Sequence, residues 1–347
     1  MMSNTPNTND ILIPLIGKKF KLGNHQYNLR DAIATGPFSS VFLVEENGVP
    51  YAMKVESQDG CLRPVLKLDH AVLSKLGGQR GFPFLWDSGR TSTFKYVIMQ
   101  LVGPDLSMLL EFMPNNQFTL STIYKIAIQT LERLQTLHNA GWLNRDVKAQ
   151  NFAVGLGQDS STVYMLDFGL TRRFLEEDGR RHLLRPWGPS VGTFPYAPLS
   201  SLGFFDQTPA DDVEGWLYMV IHLMKGLPWS NSKFQLNLAK TREWKMYCRK
   251  DGGKQRLFEG LPQGWADIYD LILNTPSHDS PAYAKISNMI VSIARQEGIN
   301  LSAPFDWQVN PVLRSLVRLG PLSCDDLSIV RTPQTALLNT MLSPLRN

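Results

Sequence analysis

The sequence predicts an α+β fold in which a β-rich first third precedes a helical remainder. Between Tyr27 and Gln100, short runs of β-branched and aromatic residues alternate with turn signals. From Ser121 onward, apolar residues recur at helical spacing. The chain has 347 residues, more than one simple hydrophobic core organises, so two lobes are expected. With 43% hydrophobic and 19% charged residues, the composition is that of a folded globular chain rather than a disordered one.

Residues 1–26 read as an N-terminal tail: Asn, Thr and Pro, then an apolar patch from Ile11 to Ile16, then Lys18-Lys19. Tyr27–Ile33, Val41–Val44 and Tyr51–Val55 read as three antiparallel strands, with Asn47-Gly48 as the hairpin turn between the last two. The first turn of this sheet is Ala34-Thr35-Gly36-Pro37-Phe38-Ser39-Ser40-Val41. Gly36 would let backbone amides approach a phosphate, because no side chain intervenes, and Phe38 would then cap the site. An ordinary hairpin turn accounts for the segment equally well. Lys54, in Tyr51-Ala52-Met53-Lys54-Val55, shares a face with Ala52 by strand alternation. A lysine inside an apolar strand is costly unless it meets an anion or, on an edge strand, reaches solvent. Pro64–Leu76 reads as a helix on the spacing of Val65, Leu68, Val72 and Leu76, and Gly77-Gly78 closes it. Asp69 on this helix is either the carboxylate Lys54 seeks or a solvated helix charge. Two further strands are expected at Phe82–Asp87 and Phe94–Gln100, followed by the linker Leu101-Val102-Gly103-Pro104.

Asp105–Phe112 reads as a short helix. Ser121–Asn139 is a strong one, striped by Ile123, Ile126, Ala127, Leu131, Leu134 and Leu137 and stopped at Gly141. It delivers the chain to Leu143-Asn144-Arg145-Asp146-Val147-Lys148-Ala149-Gln150-Asn151. Here an acid, a base and an amide stand close together at Asp146, Lys148 and Asn151. Thr162–Leu166 reads as a strand that places Asp167, followed by Phe168-Gly169, at its end. A carboxylate so placed suits Mg²⁺. Residues 170–190 are irregular and basic, either a solvated loop or a selector of acidic substrates. Asp211-Asp212 opens an apolar helix with Val213, Trp216, Leu217, Val220 and Met224. Further helices are expected near 232–249, 264–273 and 281–297, with a tail over 309–347.

In this order, the loops around Asp146 and Asp167 read as the catalytic and metal-binding loops of a protein kinase. The chain resembles the casein kinase I superfamily, most closely its tau-tubulin-kinase-like branch. The supporting strings include Tyr51-Ala52-Met53-Lys54-Val55-Glu56-Ser57, Met99-Gln100-Leu101-Val102-Gly103-Pro104-Asp105-Leu106 and Tyr164-Met165-Leu166-Asp167-Phe168-Gly169-Leu170. Gly192-Thr193, Asp211-Asp212-Val213-Glu214, Leu227-Pro228-Trp229 and Pro304-Phe305-Asp306-Trp307 extend them. The resemblance implies a bilobal protein-kinase fold over 27–308, with an N-lobe at 27–98, a hinge at 99–103 and a C-lobe at 104–308. It implies ATP and Mg²⁺ as cofactors. Asp146 would orient the substrate hydroxyl or accept its proton, and Lys148 would steady the γ-phosphate. Asn151 and Asp167 would hold Mg²⁺, Thr193 would support Asp146, and Asp212 would brace the loop. Lys54 would bind the α- and β-phosphates, Met99 would be the gatekeeper, and the Leu101 backbone would meet the adenine. Gly36, Phe38, Val41, Ala52 and Asp69 complete the nucleotide-binding set.

The sequence departs from the family pattern in several places. Ala34 and Ser39 stand where glycines are usual, Asp69 where a glutamate is, and Asn144 where a histidine is. Ala149-Gln150 replaces Pro-Glu. Pro195 replaces an arginine that helps bind pre-phosphorylated substrates, although Lys240 matches a second basic position of that site. The implied activity is transfer of a phosphoryl group from ATP to protein serine or threonine. A pseudokinase acting as a nucleotide-binding or scaffold module is the alternative.

The net charge of +4 fits an anionic ligand or acidic substrate and is too weak to argue for nucleic acid. Cys61, Cys248 and Cys324 are far apart without paired Cys/His spacing, so neither a disulfide framework nor a zinc site is expected, and a reducing compartment is. Met1–Asp10 lacks a signal pattern, and the apolar run Trp216–Met224 is too short to cross a bilayer. The expectation is a cytoplasmic monomer, with the nucleus also open to it. Its partner is expected to be a protein substrate, acidic or cytoskeletal, with no nucleic-acid or membrane partner.

Overall fold

The computed structural model describes residues 12–36, 39–58, 64–230 and 237–318. Phe38, expected to cap a phosphate site, lies outside the described residues, as do residues 319–347 of the expected tail. The described chain divides into two compact units, one formed by residues up to 66 with 85–101, the other by 67–84 with 102–317.

The first unit is an antiparallel sheet of six strands in the order β1-β2-β3-β4-β6-β5. The strands are β1 (Lys19–Leu22), β2 (His25–Thr35), β3 (Ser40–Glu46), β4 (Val49–Ser57), β5 (Leu85–Arg90) and β6 (Phe94–Gln100). Asn47 and Gly48 both adopt positive φ, 51° and 82°, as the predicted two-residue hairpin requires. Alternation sends Phe42, Val44, Tyr51, Met53, Val55, Tyr96 and Ile98 to one face, where they form a core with Leu12, Leu22, Tyr27 and Leu29. The expected N-terminal tail is therefore partly sheet. β1 pairs with the start of β2, and Leu12 is fully buried in the core. The run Lys19–Leu22, Lys-Phe-Lys-Leu, alternates but is too short to read as a strand before it pairs.

The helix expected from Pro64 starts at Leu66, because the buried Glu56 carboxylate accepts the Val65 and Leu66 amides at 2.6 and 3.0 Å. The strand expected at Phe82–Asp87 begins later, at Leu85. Residues 78–82 form a turn instead, in which the Gly78 N–H donates to the Phe82 carbonyl at 3.3 Å.

In the second unit, the helix Pro209–Lys225 is buried on nearly every side and forms the centre. The helix Leu120–Asn139 packs along it, and Trp216 Nε1 donates to Thr130 Oγ1 at 2.9 Å. The expected segments appear as Leu238–Cys248, Gln263–Leu273 and Tyr283–Gln296, with residues 232–236 of the first lying outside the described residues. A further helix, Asp251–Phe258, was hidden by its paired glycines. Gly253 is required there because a Cβ would lie 2.1 Å from the Tyr247 carbonyl. The tail expected from residue 309 begins with a helix, Pro311–Leu316, and the Gly157 N–H donates to Val317 O at 2.8 Å. No helix among the described residues is long and apolar enough to cross a membrane.

Candidate active site

In the second unit, the loop after Leu143 is tied to the central helix through Asp212. This buried carboxylate accepts the Asn144 amide at 2.6 Å, the Arg145 amide at 2.7 Å and a bond from His138 Nε2 at 2.9 Å. Arg145 thereby holds a left-handed backbone with φ 66°. Asn144, where a histidine is usual, turns its own side chain into the loop, and its Oδ1 accepts the Asp146 amide at 3.0 Å. Gly192, at φ 108°, must lack a side chain because a Cβ would meet the Arg145 carbonyl at 2.8 Å.

These constraints set Asp146 among three donors. Thr193 Oγ1 donates to Oδ1 at 2.7 Å, Lys148 Nζ reaches Oδ2 at 2.7 Å, and Asn151 Nδ2 donates to Oδ2 at 3.1 Å. The carboxylate borders a small pocket whose wall includes Arg145, Gly192, Thr193, Tyr196 and Pro198.

Asp167 follows the strand Val163–Met165 and also takes a left-handed backbone, φ 56°. The Leu166 N–H donates to Asn151 O at 2.8 Å, setting Asp167 beside Asn151. The Gly169 amide donates to Asp167 Oδ1 at 3.2 Å. Phe168 is buried and stacks on Phe82 with centroids 6.2 Å apart. Asp69 is buried rather than solvated, and its Oδ1 accepts the Phe168 amide at 3.0 Å. Asp69→Ala removes that acceptor and is expected to cost about 1–3 kcal/mol. Asp69→Asn keeps an acceptor oxygen and should recover most of the loss. Urea melts of the two variants check this, and equal midpoints would refute it.

In the first unit, the register aligns the expected nucleotide-binding residues. Val41 pairs with Lys54, Ala52 with Met99, and Lys54 with Val97. Paired and alternate residues share a face, so Val41, Ala52, Lys54 and Met99 lie on the face opposite the sheet core. Lys54 is buried, and β4 lies inside the sheet, so Lys54 is not an edge-strand lysine. Gly36 closes the first hairpin by donating its N–H to Ser39 O at 2.9 Å. Leu101 is half-buried and directly follows β6.

The basic loop is more balanced than its sequence suggests. Arg172 and Arg185 both bind Asp206, Arg173 pairs with Glu177, and Arg180 pairs with Asp178. Burial alone would raise the Asp206 pKa, but the hydrogen bonds from Arg185 and Arg172 outweigh it and hold the carboxyl at about 2.

Lys240 is exposed in the first turn of its helix. The basic side chain that reaches Pro195 is Lys245, whose Nζ donates to Pro195 O at 3.0 Å and also to Ala197 O. Its spacing from Thr241 and Cys248 on one buried stripe was the available signal. Burial lowers the Lys245 pKa to about 7. Between that pH and the ordinary lysine pKa the unfolded chain binds more protons, so this group's contribution to stability rises with pH. Lys245→Met should therefore gain stability over the parent, on the order of a few kcal/mol at or below pH 7. The gain should shrink toward pH 10. Thermal melts across pH test the sign.

An acid set on a small pocket, with a lysine beside it and two oxygen donors adjacent, suits phosphoryl transfer by positioning and electrostatics. With a curled antiparallel sheet ahead of a helical unit, the class is the bilobal protein kinase. The chain is 42% identical over 290 residues to serine/threonine-protein kinase spe-6 of Caenorhabditis elegans, covering 83% of this chain and 76% of that one. It is 30% identical over 284 residues to a probable serine/threonine-protein kinase of Dictyostelium discoideum, covering 80% of this chain and 55% of that one. No protein-family model matches the chain. The chain belongs to the serine/threonine protein kinases, whose activity is ATP-dependent phosphorylation of proteins. Nothing in its relatives favours the pseudokinase alternative.

Proposed function

We propose that this kinase acts through Asp146 on serine and threonine hydroxyls, and that it falls in the tau-tubulin-kinase-like branch of the casein kinase I superfamily. The observation that carries the catalytic reading is Asp146, buried yet bordering a pocket, with Thr193, Lys148 and Asn151 fixing its two oxygens, while the branch rests on the sequence resemblance alone. In this role Asp146 orients the substrate hydroxyl and takes its proton, while Lys148 offsets the charge that develops on the transferred group. Asp212, through the loop amides, is a positioning residue.

Asn151 and Asp167 fit Mg²⁺. The amide of Asn151 commits its donor end to Asp146, leaving its oxygen for a cation, and Asp167 adds a carboxylate. Two protein oxygens, with no larger cluster of candidate metal ligands among the described residues, match an ion completed by phosphates rather than by a protein cage. Bound Mg-ATP supplies the phosphoryl group. Lys54, with Val41, Ala52 and Met99 on one sheet face, is proposed to bind the nucleotide together with Gly36, Leu101 and Asp69.

The proposed substrate is an acidic or cytoskeletal protein, met by a monomer in the cytoplasm or also in the nucleus. The cysteine usage supports the reducing compartment. Exposed Trp187, Phe204 and Phe205 near the pocket-lining segment support a polypeptide rather than a small-molecule acceptor. Phosphate transfer from labelled ATP to casein or tubulin tests the proposal, with Asp146→Asn as the control. Transfer restricted to free nucleotides or small alcohols would overturn it.

A further inference from the structure

Lys245 is fully buried, yet its hydrogen bonds run to the carbonyls of Pro195 and Ala197 rather than to a carboxylate. The ammonium also lies 4.4 Å from the Tyr218 ring centroid and 5.1 Å from that of Trp229. Trp229 Nε1 donates to the same Pro195 carbonyl at 2.8 Å. These carbonyls belong to a tight turn in which the Tyr196 and Ala197 amides donate to Thr193 O at 3.0 and 2.9 Å. Thr193 is the residue whose hydroxyl grips Asp146. A buried cation held by carbonyls and aromatic faces is costly for stability alone, which makes its placement against this turn informative.

We propose that Lys245 is a positioning residue: it pins the Thr193–Ala197 turn through two carbonyls, and so keeps Thr193 on Asp146 and shapes the hydroxyl pocket. This rests on reading Asp146 as the phosphoryl-transfer site. The charged and titratable groups around Lys245 are accounted for. Glu214 binds Arg249 at 2.9 and 3.1 Å and accepts from the Tyr218 hydroxyl at 2.6 Å. Tyr269 accepts from Arg249 at 3.2 Å, and Cys248 is a buried free thiol on the same helix. His222 meets the Tyr196 hydroxyl at 2.7 Å. Glu214 is thus occupied by Arg249 and Tyr218, and Lys245 donates to the two turn carbonyls. The burial that lowers the lysine's pKa to about 7 means that its charge on this turn changes near neutral pH.

The experiment uses the full chain with Lys245→Met and Lys245→Arg, reading steady-state kinetics and amide hydrogen exchange. In Lys245→Met, kcat for casein should fall about tenfold or more, because a small misplacement of positioning groups has effects of that size. KM for ATP should stay within about twofold, as expected when a uniformly felt binding contact is not lost. Exchange at the Tyr196 and Ala197 amides should rise about tenfold as the turn loosens. In the parent, protection at these two amides should step with pH near 7, and Lys245→Met should abolish the step. Lys245→Arg, which keeps a cation, should remove the step while retaining more protection than Met. A folded Lys245→Met with parental kcat and parental exchange would overturn the proposal. If Lys245→Met does not fold, Lys245→Gln takes its place, and parental kcat with parental exchange at Tyr196 and Ala197 in that variant overturns the proposal. If the parent and Asp146→Asn transfer phosphate equally, the proposed function fails, while exchange at the turn still judges Lys245.

Discussion

Asp146→Asn is expected to lower phosphate transfer by about 10²–10⁴-fold, the range that positioned acid–base groups contribute. Asn matches Asp in shape: its oxygen can take the Oδ2 place and accept from Lys148 and Asn151, while its NH2 donates to the Thr193 hydroxyl, which can also accept. The loop should keep its form, and thermal melting should change little. What is lost is the negative charge that pairs with Lys148 at 2.7 Å and, in the proposed role, orients the substrate hydroxyl. KM for ATP should hold, since the sheet residues proposed to bind the nucleotide are untouched. Initial rates with labelled ATP give the comparison, and equal rates for parent and variant would remove Asp146 from the chemistry.

Asp212→Ala should be the most destabilising change among the site residues. It would leave three donors without their acceptor: the Asn144 amide at 2.6 Å, the Arg145 amide at 2.7 Å and His138 Nε2 at 2.9 Å. Removing one side of a buried polar network costs about 3–5 kcal/mol, a large part of a typical folding stability of about 5–15 kcal/mol. The left-handed Arg145 backbone would lose its restraint at the same time. A lower urea midpoint and loss of activity should appear together. Asp212→Asn retains an acceptor oxygen and should fall between the two. A parental midpoint in Asp212→Ala would mean that other groups hold the loop.

How much of this was legible depended on sequence distance. Asp146, Lys148 and Asn151 lie in one loop, and their proximity could be seen without tertiary structure. The face shared by Val41, Ala52, Lys54 and Met99 follows from alternation once the hairpins are placed, and Asn47-Gly48 placed one of them. Asp69 had two open readings, because burial is a tertiary property, and its bond to the Phe168 amide spans 99 residues. Lys240 was named only on the family resemblance, and Lys245 carried no signal beyond its spacing, because a lysine on an apolar stripe gains meaning only once carbonyls and aromatic rings are known to surround it. His138 carried no signal at all, since a histidine near a helix end is usually solvated. β1 escaped because four residues ending in one buried leucine are too few for a periodicity.

The Asp212 cluster also has a consequence for biosynthesis. Its carboxylate joins segments 68 and 74 residues apart, and His138 in turn meets the Tyr283 hydroxyl 145 residues downstream. Contacts of such long sequence separation form late, after the chain between them has been made and ordered. A nascent chain that has passed residue 151 therefore carries every acid and base of the candidate catalytic loop but not the loop's shape. That shape waits for the helix Pro209–Lys225, which carries Asp212, so the nascent chain is expected to stay catalytically silent until that helix has been made and packed.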